Sequence, residues 1–270
     1  MLEKIKATAE YIRENTNFKT DTGIILGTGL GGLVKEIEQE IVLEYSQIPN
    51  FPVSTVEGHS GRLIFGRLGG RNVMAMQGRF HYYEGYSMQE VTFPVRVMQM
   101  LGFKYLFVSN AVGGLNPDFE VGDIMIITDH INFFPENPLR GKNYNELGPR
   151  FPDMSEVYDL KLIGQARKIS DEEGFNLREG VYVGVAGPTF ETPAEYVMFR
   201  RMGGDVVGMS TVPEVIVARH AGITVFGISI ISDSGVPGKI VEISHGEVQR
   251  IAAQAEPKMT TVIKKMTELL

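Results

Sequence analysis

The chain has 270 residues, of which 43% are hydrophobic and 22% are charged. This composition is typical of a folded protein with one large core, and it argues against disorder. The net charge of −7 argues against a general affinity for nucleic acids or membranes, so an anionic ligand would need a local basic cluster. The absence of cysteine excludes disulfides, thiolate catalysis and a thiolate-held zinc.

Nothing in the sequence predicts a membrane anchor or an export signal. No apolar run approaches the roughly 20 residues of a membrane span. Residues 1–15 lack the apolar centre and cleavage site of a signal peptide. They predict an amphipathic helix instead, with Ile5, Ala9 and Ile12 on one face. We therefore expect a cytoplasmic protein.

Predicted strands alternate with predicted helices along the chain. Helices are expected at residues 2–14, 87–101 with a kink at Pro94, 157–174, after Thr192, after Thr211 and from Ser244 onwards. Thr211 and Glu214 have the spacing of a capping box at the start of their helix. Strands are expected at residues 23–26, 41–44, 62–76 as a hairpin, 105–109, 123–128, 180–186, 205–208 and 223–231. Residues 110–114 are expected to form a small, flexible turn. This order predicts an α/β fold in which residues 1–270 form a single domain, with a central mixed, largely parallel β-sheet flanked by helices.

A loop rich in charged and aromatic residues, MQGRFHYYEGY at residues 76–86, lies at the carboxyl end of one predicted strand. Ligands of open α/β sheets bind at such strand ends. Arg79 offers a planar fork of donors that suits phosphate or carboxylate, with His81 two residues away. The loop therefore indicates an anion site, although a surface loop with a solvated arginine is the alternative.

The glycine-rich loop GTGLGG, residues 27–32, follows another strand and matches the dinucleotide pattern G-x-G-x-x-G. The next strand comes too soon to leave room for a full crossover helix, and its acid, Glu44, comes early for the pattern. We therefore interpret the loop as a general anion site to which Thr28 adds a hydroxyl. A tight strand-to-helix turn is the alternative.

Other predicted strand ends add polar side chains, and together they describe two half-sites. One consists of donors, here called the donor group, and suits an oxyanion such as phosphate: Thr28, Arg79, His81 and Ser210. The other, here called the acid pair, consists of Glu191 and Asp233, and with Phe190 it suits a heterocycle. A ribose would fit between them, beside Tyr83, Met209 and His245. No metal-ligand spacing such as H-E-x-x-H, no G-x-S-x-G and no complete P-loop is present.

Four long segments resemble the trimeric purine nucleoside phosphorylases, whose wider family includes the methylthioadenosine phosphorylases: QGRFHYYEGY, NAVGGLNPDFEVGDIMIITDHINF, VAGPTFET and GMSTVPEVIVARH. The resemblance covers essentially the whole chain. It implies a phosphorylase/hydrolase-like fold and phosphate-dependent cleavage of purine (2′-deoxy)ribonucleosides to free base and (2-deoxy)ribose 1-phosphate. It also implies inorganic phosphate as co-substrate, no cofactor or metal, a homotrimer and a role in purine salvage in the cytoplasm.

The resemblance also assigns roles to individual residues. It implies a phosphate site of Thr28, His59, Arg79, His81, Ser210 and the backbone of Ala111. It implies a nucleoside site of Tyr83, Met209 and His245 at the ribose, Phe190, Glu191 and Asp233 at the base, and Phe151 from the neighbouring subunit. Glu191, Asp233 and His81 would be the catalytic residues. Where the family of 6-oxopurine enzymes has asparagine, this chain has Asp233, which leaves the preferred base open.

Three rival functions stay open at this point. A 5′-methylthioadenosine phosphorylase would need a small apolar pocket for the 5′ group, whereas His245 favours a 5′-hydroxyl and Glu191 favours a 6-oxopurine. A nucleoside hydrolase would have no use for the donors around Arg79. A non-catalytic dinucleotide-binding module would depend on the glycine-rich loop alone.

Overall fold

A computed structural model describes residues 1–28, 30–53, 55 and 60–270. The helices are α1 (Leu2–Thr16), α2 (Met88–Val91), α3 (Phe93–Leu101), α4 (Leu160–Glu173), α5 (Pro193–Arg201), α6 (Val212–His220) and α7 (His245–Glu268). The strands are β1 (Thr22–Leu26), β2 (Glu38–Glu44), β3 (Arg62–Leu68), β4 (Arg71–Gln77), β5 (Tyr105–Gly114), β6 (Ile124–Asn132), β7 (Arg178–Gly184), β8 (Val206–Gly208) and β9 (Thr224–Ser234). The predicted α/β class is confirmed.

The strands of the described residues form one mixed sheet in the order β2-β3-β4-β1-β5-β8-β7-β6-β9. Strand β9 also pairs with β5 in parallel, so the last five strands close on themselves like a barrel. Closure pairs strand edges that would otherwise be exposed. The pairings of β1 with β4 and β5, of β7 with β6 and β8, and of β5 with β9 are parallel, which agrees with the predicted mixed, largely parallel sheet.

Apolar side chains of the helices cover this sheet and form the core with it. Strand β1 is buried at all five positions, as expected for a strand covered on both faces. Helix α1 buries the predicted face of Ile5, Ala9 and Ile12, and α7 buries a stripe that includes Met259 and Ile263. Burial of each large apolar side chain contributes about 1.5–3 kcal/mol, so the core holds the strand ends in fixed relative positions.

Three expectations about element boundaries were wrong. Pro94 does not kink one helix: Thr92 separates α2 from α3, and Pro94 lies in the first turn of α3, where its missing N–H costs nothing. Residues 110–114 belong to β5 rather than to a turn, and β9 continues to Ser234 instead of ending at Ile231, because β5 and β9 pair along their whole length. Helix α4 begins at Leu160, where the Asp159 carboxylate caps it by accepting from the Leu162 N–H at 2.8 Å.

Candidate active site

One cavity of about 520 Å³ opens where the carboxyl ends of β1, β4, β8 and β9 meet the second half of β5. It brings together most of the residues singled out from the sequence: Thr28, Arg79, His81, Tyr83, Ala111, Phe190, Glu191, Met209, Ser210, Asp233 and His245. His59 lies outside the described residues. Phe151 does not line the cavity and is 87% exposed.

Arg79 lies just after β4 and is almost completely buried. Its Nη1 donates to the hydroxyl of Ser210 at 2.9 Å and to that of Thr211 at 3.1 Å. Its Nε lies 3.4 Å from Oε1 of Glu214, which is also buried. Burial raises the pKa of Glu214, and the guanidinium opposes that rise by favouring the ionised form.

These contacts explain why the Thr211 side chain does not take part in the predicted Thr211–Glu214 capping box. The Thr211 side chain makes no capping hydrogen bond to α6. Its hydroxyl accepts from Arg79 instead, and also from Nδ2 of Asn110 at 2.8 Å. The Glu214 carboxylate faces the Arg79 guanidinium. A long-range buried cation therefore overrides a local capping pattern, because an unpaired buried charge costs more than a missing cap.

His81 directly precedes a short 3-10 turn, Tyr82–Glu84, and the side chain of Glu84 holds it in place. Oε1 of Glu84 accepts from the His81 backbone at 2.8 Å and lies 2.9 Å from its Nδ1. Oε2 accepts from both the backbone N–H and the hydroxyl of Thr55. Burial works to raise the pKa of Glu84, but these hydrogen bonds win and lower it to about 2. Because an ionised carboxylate only accepts, the Nδ1 of His81 carries a proton.

The His81 ring also stacks on Tyr83, with ring centroids 4.7 Å apart. Burial lowers the pKa of His81 more than the hydrogen bond to Glu84 raises it, so the neutral ring is favoured. Burial raises the pKa of the Tyr83 hydroxyl to about 12, and this phenol therefore stays protonated at neutral pH. These two aromatic rings form one wall of the cavity.

The acid pair lines another part of the cavity. Asp233 lies on β9, and Glu191 lies shortly before α5. Burial raises the pKa of Glu191 to about 7, and the nearby charge of Asp233 adds to the rise. Burial also raises the pKa of Asp233, although its Oδ1 accepts a 2.7 Å hydrogen bond from Ser232. Both carboxyl groups are therefore more easily protonated than ordinary surface acids.

A local irregularity brings Ser232 and Asp233 into the cavity together. The register between β5 and β9 shifts after Val112, so that Gly113 pairs with Asp233 and Ser232 is an extra residue. Such bulges re-aim side chains next to binding sites. A Cβ on Gly113 would lie 3.1 Å from Oδ2 of Asp233, so glycine leaves the room that this carboxylate needs.

Sequence reasoning assigned no role to Glu84, Asn110 or Ser232, all of which line the cavity. The i, i+3 spacing of His81 and Glu84 could have indicated their hydrogen bond, as in other short helical turns. No local signal could have indicated Asn110 or Ser232, because their partners depend on how the strands pair.

The glycine-rich loop continues into a 3-10 turn, Gly31–Glu36. The Glu256 carboxylate lies against this turn, at the position that a Cβ on Gly32 would occupy.

The described residues contain no group of three or more histidine, aspartate or glutamate side chains arranged to hold a metal ion. Among these same residues, no helix is long and apolar enough to cross a membrane.

Comparison with known proteins gives a consistent result. Residues 21–268 match the sequence profile of the phosphorylase superfamily. The chain is 57% identical to purine nucleoside phosphorylase 1 of Geobacillus stearothermophilus, over 90% of this chain and 89% of that protein. The crystal structure of Schistosoma mansoni purine nucleoside phosphorylase in complex with adenosine matches with a TM-score of 0.94 at 45% identity, over 99% and 97% of the two chains. A structure of isoform 2 from the same organism, in complex with cytosine and ribose-1-phosphate, also gives 0.94 at 45% identity, over 99% and 96%.

The depressed pKa of Glu84 predicts a pH-dependent contribution to stability. Because folding lowers this pKa to about 2, ionised Glu84 stabilises the fold above its ordinary pKa, and this contribution is lost as the pH falls towards 2. Glu84→Gln should therefore lower the melting temperature most at pH 7, and the deficit should shrink between pH 5 and pH 3. Melting curves across this range test it, with the exposed Glu156→Gln as control. An equal deficit at every pH would contradict the assignment.

Proposed function

Because the chain belongs to the phosphorylase superfamily and its described cavity combines the donor group with the acid pair, we propose that this cavity is the active site of its purine nucleoside phosphorylase activity. The chain cleaves the N-glycosidic bond of purine nucleosides with phosphate. The observation that carries the site assignment is the presence of two chemically opposite groups of side chains in one 520 Å³ cavity. Donors suit phosphate, and carboxyl groups suit the N–H and amino groups of a purine.

The donor group is the proposed phosphate site. Arg79 supplies a positive charge in a buried setting, where an ionic hydrogen bond is strong. Thr28 and Ser210 add hydroxyls, and Ala111 contributes through its backbone. His59 belongs to this proposal through the family resemblance. Because the Nδ1 of His81 carries a proton, its Nε2 can accept from a protonated phosphate oxygen when the ring is neutral and can donate when the ring is charged.

The acid pair is the proposed base site, with Phe190 against the purine and Tyr83, Met209 and His245 around the ribose. As the glycosidic bond breaks, the sugar becomes cation-like and the base gains negative charge at N7. Phosphate stabilises the sugar and then attacks C1′, which gives the base and ribose 1-phosphate. Glu191 and Asp233 stabilise the leaving base. These interactions are stronger in the transition state than in the ground state, which is what accelerates the reaction.

Two features of the cavity favour ordinary purine nucleosides over the substrates of a methylthioadenosine phosphorylase and over hydrolysis by water. His245 lines the cavity and offers a polar partner for a 5′-hydroxyl, which a methylthio group could not use. A nucleoside hydrolase would have no use for a donor group that suits phosphate, and Arg79 and Ser210 of that group both line the cavity. We further propose that the reaction serves purine salvage in the cytoplasm.

Removal of the Arg79 guanidinium should weaken phosphate binding. The test substitution Arg79→Ala is made in a Glu214→Gln background, because this avoids an unpaired buried carboxylate. It should raise the phosphate KM and lower kcat/KM by a factor that corresponds to about 1.5–3 kcal/mol, the value of a charged hydrogen bond. Product assays with inosine, with and without phosphate, measure this, and Glu214→Gln alone is the control. An unchanged phosphate dependence, or full activity without phosphate, would refute the assignment.

The carboxyl group of Asp233 influences whether the site prefers a 6-oxopurine or a 6-aminopurine. An ionised aspartate only accepts hydrogen bonds, so it suits a 6-amino group and N7–H and repels a 6-oxo oxygen. Burial raises the pKa of Asp233, and the protonated form can donate to a 6-oxo group or to N7. Glu191 favours 6-oxopurines, because these carry an N1–H for it to accept. We propose that inosine and guanosine are the main substrates and that adenosine is also used.

Asp233→Asn should therefore raise the ratio of kcat/KM for inosine to kcat/KM for adenosine. The expected rise is roughly tenfold, which corresponds to the free energy of about one hydrogen bond. The pH profile should also lose its dependence on this group, whose titration is coupled to that of Glu191. The measurement is kcat/KM for both nucleosides between pH 5 and pH 9, with Glu195→Gln as a control for nearby surface charge. If the ratio does not rise, Asp233 is not the discriminating group.

The proposed assembly is a homotrimer in which Phe151 completes the sugar pocket of a neighbouring subunit. Its ring is 87% exposed, with the Arg150 guanidinium 5.7 Å from its centroid. It lies in residues 133–159, where the structure has one short 3-10 turn and no strand. Long irregular segments of this kind are usually functional or make contacts to other subunits.

Light scattering should give about three times the 29.9 kDa chain mass. Phe151→Ala should raise the nucleoside KM by roughly tenfold, as expected for loss of an aromatic contact, without changing the phosphate KM. Leu160→Ala, another exposed apolar side chain, is the matched control. A fully active monomer would end this proposal.

A further inference from the structure

The first residue before α6 has a rare backbone conformation. Thr211 has φ +67° and ψ −56°, and the Val212 N–H donates to the Ser210 carbonyl at 2.7 Å. Together these define a γ-turn in its strained, positive-φ form. A β-branched residue at positive φ is an outlier, and such strain persists only where the surroundings hold it in place. The strain therefore points to a role for the Thr211 side chain.

That side chain makes three hydrogen bonds. The Thr211 hydroxyl oxygen lies 3.1 Å from Nη1 of Arg79, 2.8 Å from Nδ2 of Asn110 and 3.1 Å from the Ser210 hydroxyl. A guanidinium and an amide NH₂ can only donate, and a hydroxyl has two acceptor positions and one proton. Arg79 and Asn110 therefore fill both acceptor positions of Thr211. Its own proton is left for Ser210.

The direction of this bond fixes the direction of the next one. The Ser210 hydroxyl accepts from Thr211 and from Nη1 of Arg79 at 2.9 Å, so its two acceptor positions are also filled. Ser210 lines the cavity, so its own proton is left for an acceptor there. The pair of hydroxyls is thus a one-way chain that starts at the buried Asn110 amide and ends in the cavity.

We propose that Thr211 is a positioning residue, whose strained turn and three hydrogen bonds hold Ser210 as an obligate hydrogen-bond donor to the phosphate ion. This inference rests on the proposed function, in which Ser210 contacts phosphate. A free hydroxyl can turn either a proton or a lone pair towards an anion, and the second orientation is repulsive. A donor that is oriented before the anion arrives needs no reorganisation, and such preorganised donors contribute most to binding charge in a buried site.

The kinetic test compares two substitutions at one position. Thr211→Val keeps the size and β-branching but removes the hydroxyl, which leaves the Asn110 donor without its acceptor and frees the Ser210 rotor. Thr211→Ser keeps the hydroxyl. The phosphate KM should rise roughly three- to tenfold in Thr211→Val, the range for one hydrogen bond. It should stay within about twofold in Thr211→Ser, and the nucleoside KM should stay within about twofold in both.

Ser210→Ala separates this inference from the function on which it rests. If Ser210→Ala raises the phosphate KM and Thr211→Val does not, Ser210 binds phosphate without help from Thr211 and the inference is overturned. If neither Ser210→Ala nor Thr211→Val changes the phosphate KM, both the phosphate contact of Ser210 and the positioning role of Thr211 are wrong. An equal rise of the phosphate and nucleoside KM values in Thr211→Val would indicate general damage to the site and would also overturn the positioning role.

Neutron diffraction gives a direct readout that does not depend on how any variant folds. In crystals of the unmodified protein soaked with sulfate, whose oxygens only accept, the deuteron of Thr211 should point to Ser210 and that of Ser210 to the sulfate. A Ser210 deuteron that points to Thr211 would contradict the proposed direction of the chain.

Discussion

Burial of the Arg79 guanidinium is the constraint on which the rest of the site depends. Removal of a charge from water costs several kcal/mol, and this is offset only when partners surround it in good geometry. Those partners are the carboxylate of Glu214 and the hydroxyls of Ser210 and Thr211, more than 130 residues further along the chain. The end of β4 and the start of α6 must therefore meet in the folded protein, and the strained turn at Thr211 is part of how they do so.

Strand β5 makes that meeting possible and joins the two halves of the cavity. It pairs with β1 on one side and with β8 and β9 on the other. Its residue Asn110 reaches Thr211 in the donor half, and its Gly113 lies against Asp233 in the acid half. Because both contacts come from one strand in a closed sheet, the distance between the two half-sites is set by the backbone rather than by flexible loops.

The surroundings of Glu84 and Glu191 shift the pKa values of these two carboxyl groups in opposite directions. Burial favours the neutral form of each, yet Glu84 accepts four hydrogen bonds from Thr55 and His81 and its pKa falls to about 2. Glu191 has weaker compensation and a negatively charged neighbour in Asp233, and its pKa rises to about 7. Glu84 therefore carries a fixed negative charge that orients His81. Glu191 can instead gain or lose a proton when the charge of a bound ligand changes during a reaction.

Much of this protein was determined by its sequence alone. The alternation of strands and helices predicted the α/β sheet, and polar residues at strand ends predicted which side chains would share a cavity, because carboxyl ends of parallel strands meet at one edge. Long motifs indicated the family, which the comparisons confirm. Local patterns were less reliable where long-range partners compete with them. The Thr211 hydroxyl binds Arg79 rather than capping α6, and the turn expected at residues 110–114 is part of a strand.

Only the tertiary structure decided how these side chains are held. The closure of β9 onto β5, the bulge that turns Asp233 into the cavity and the contact between Asn110 and Thr211 all join residues at least 100 positions apart. Sequence periodicity reports the environment of each segment but not its partners. The partners depend on strand order and register, which follow from packing the whole core at once.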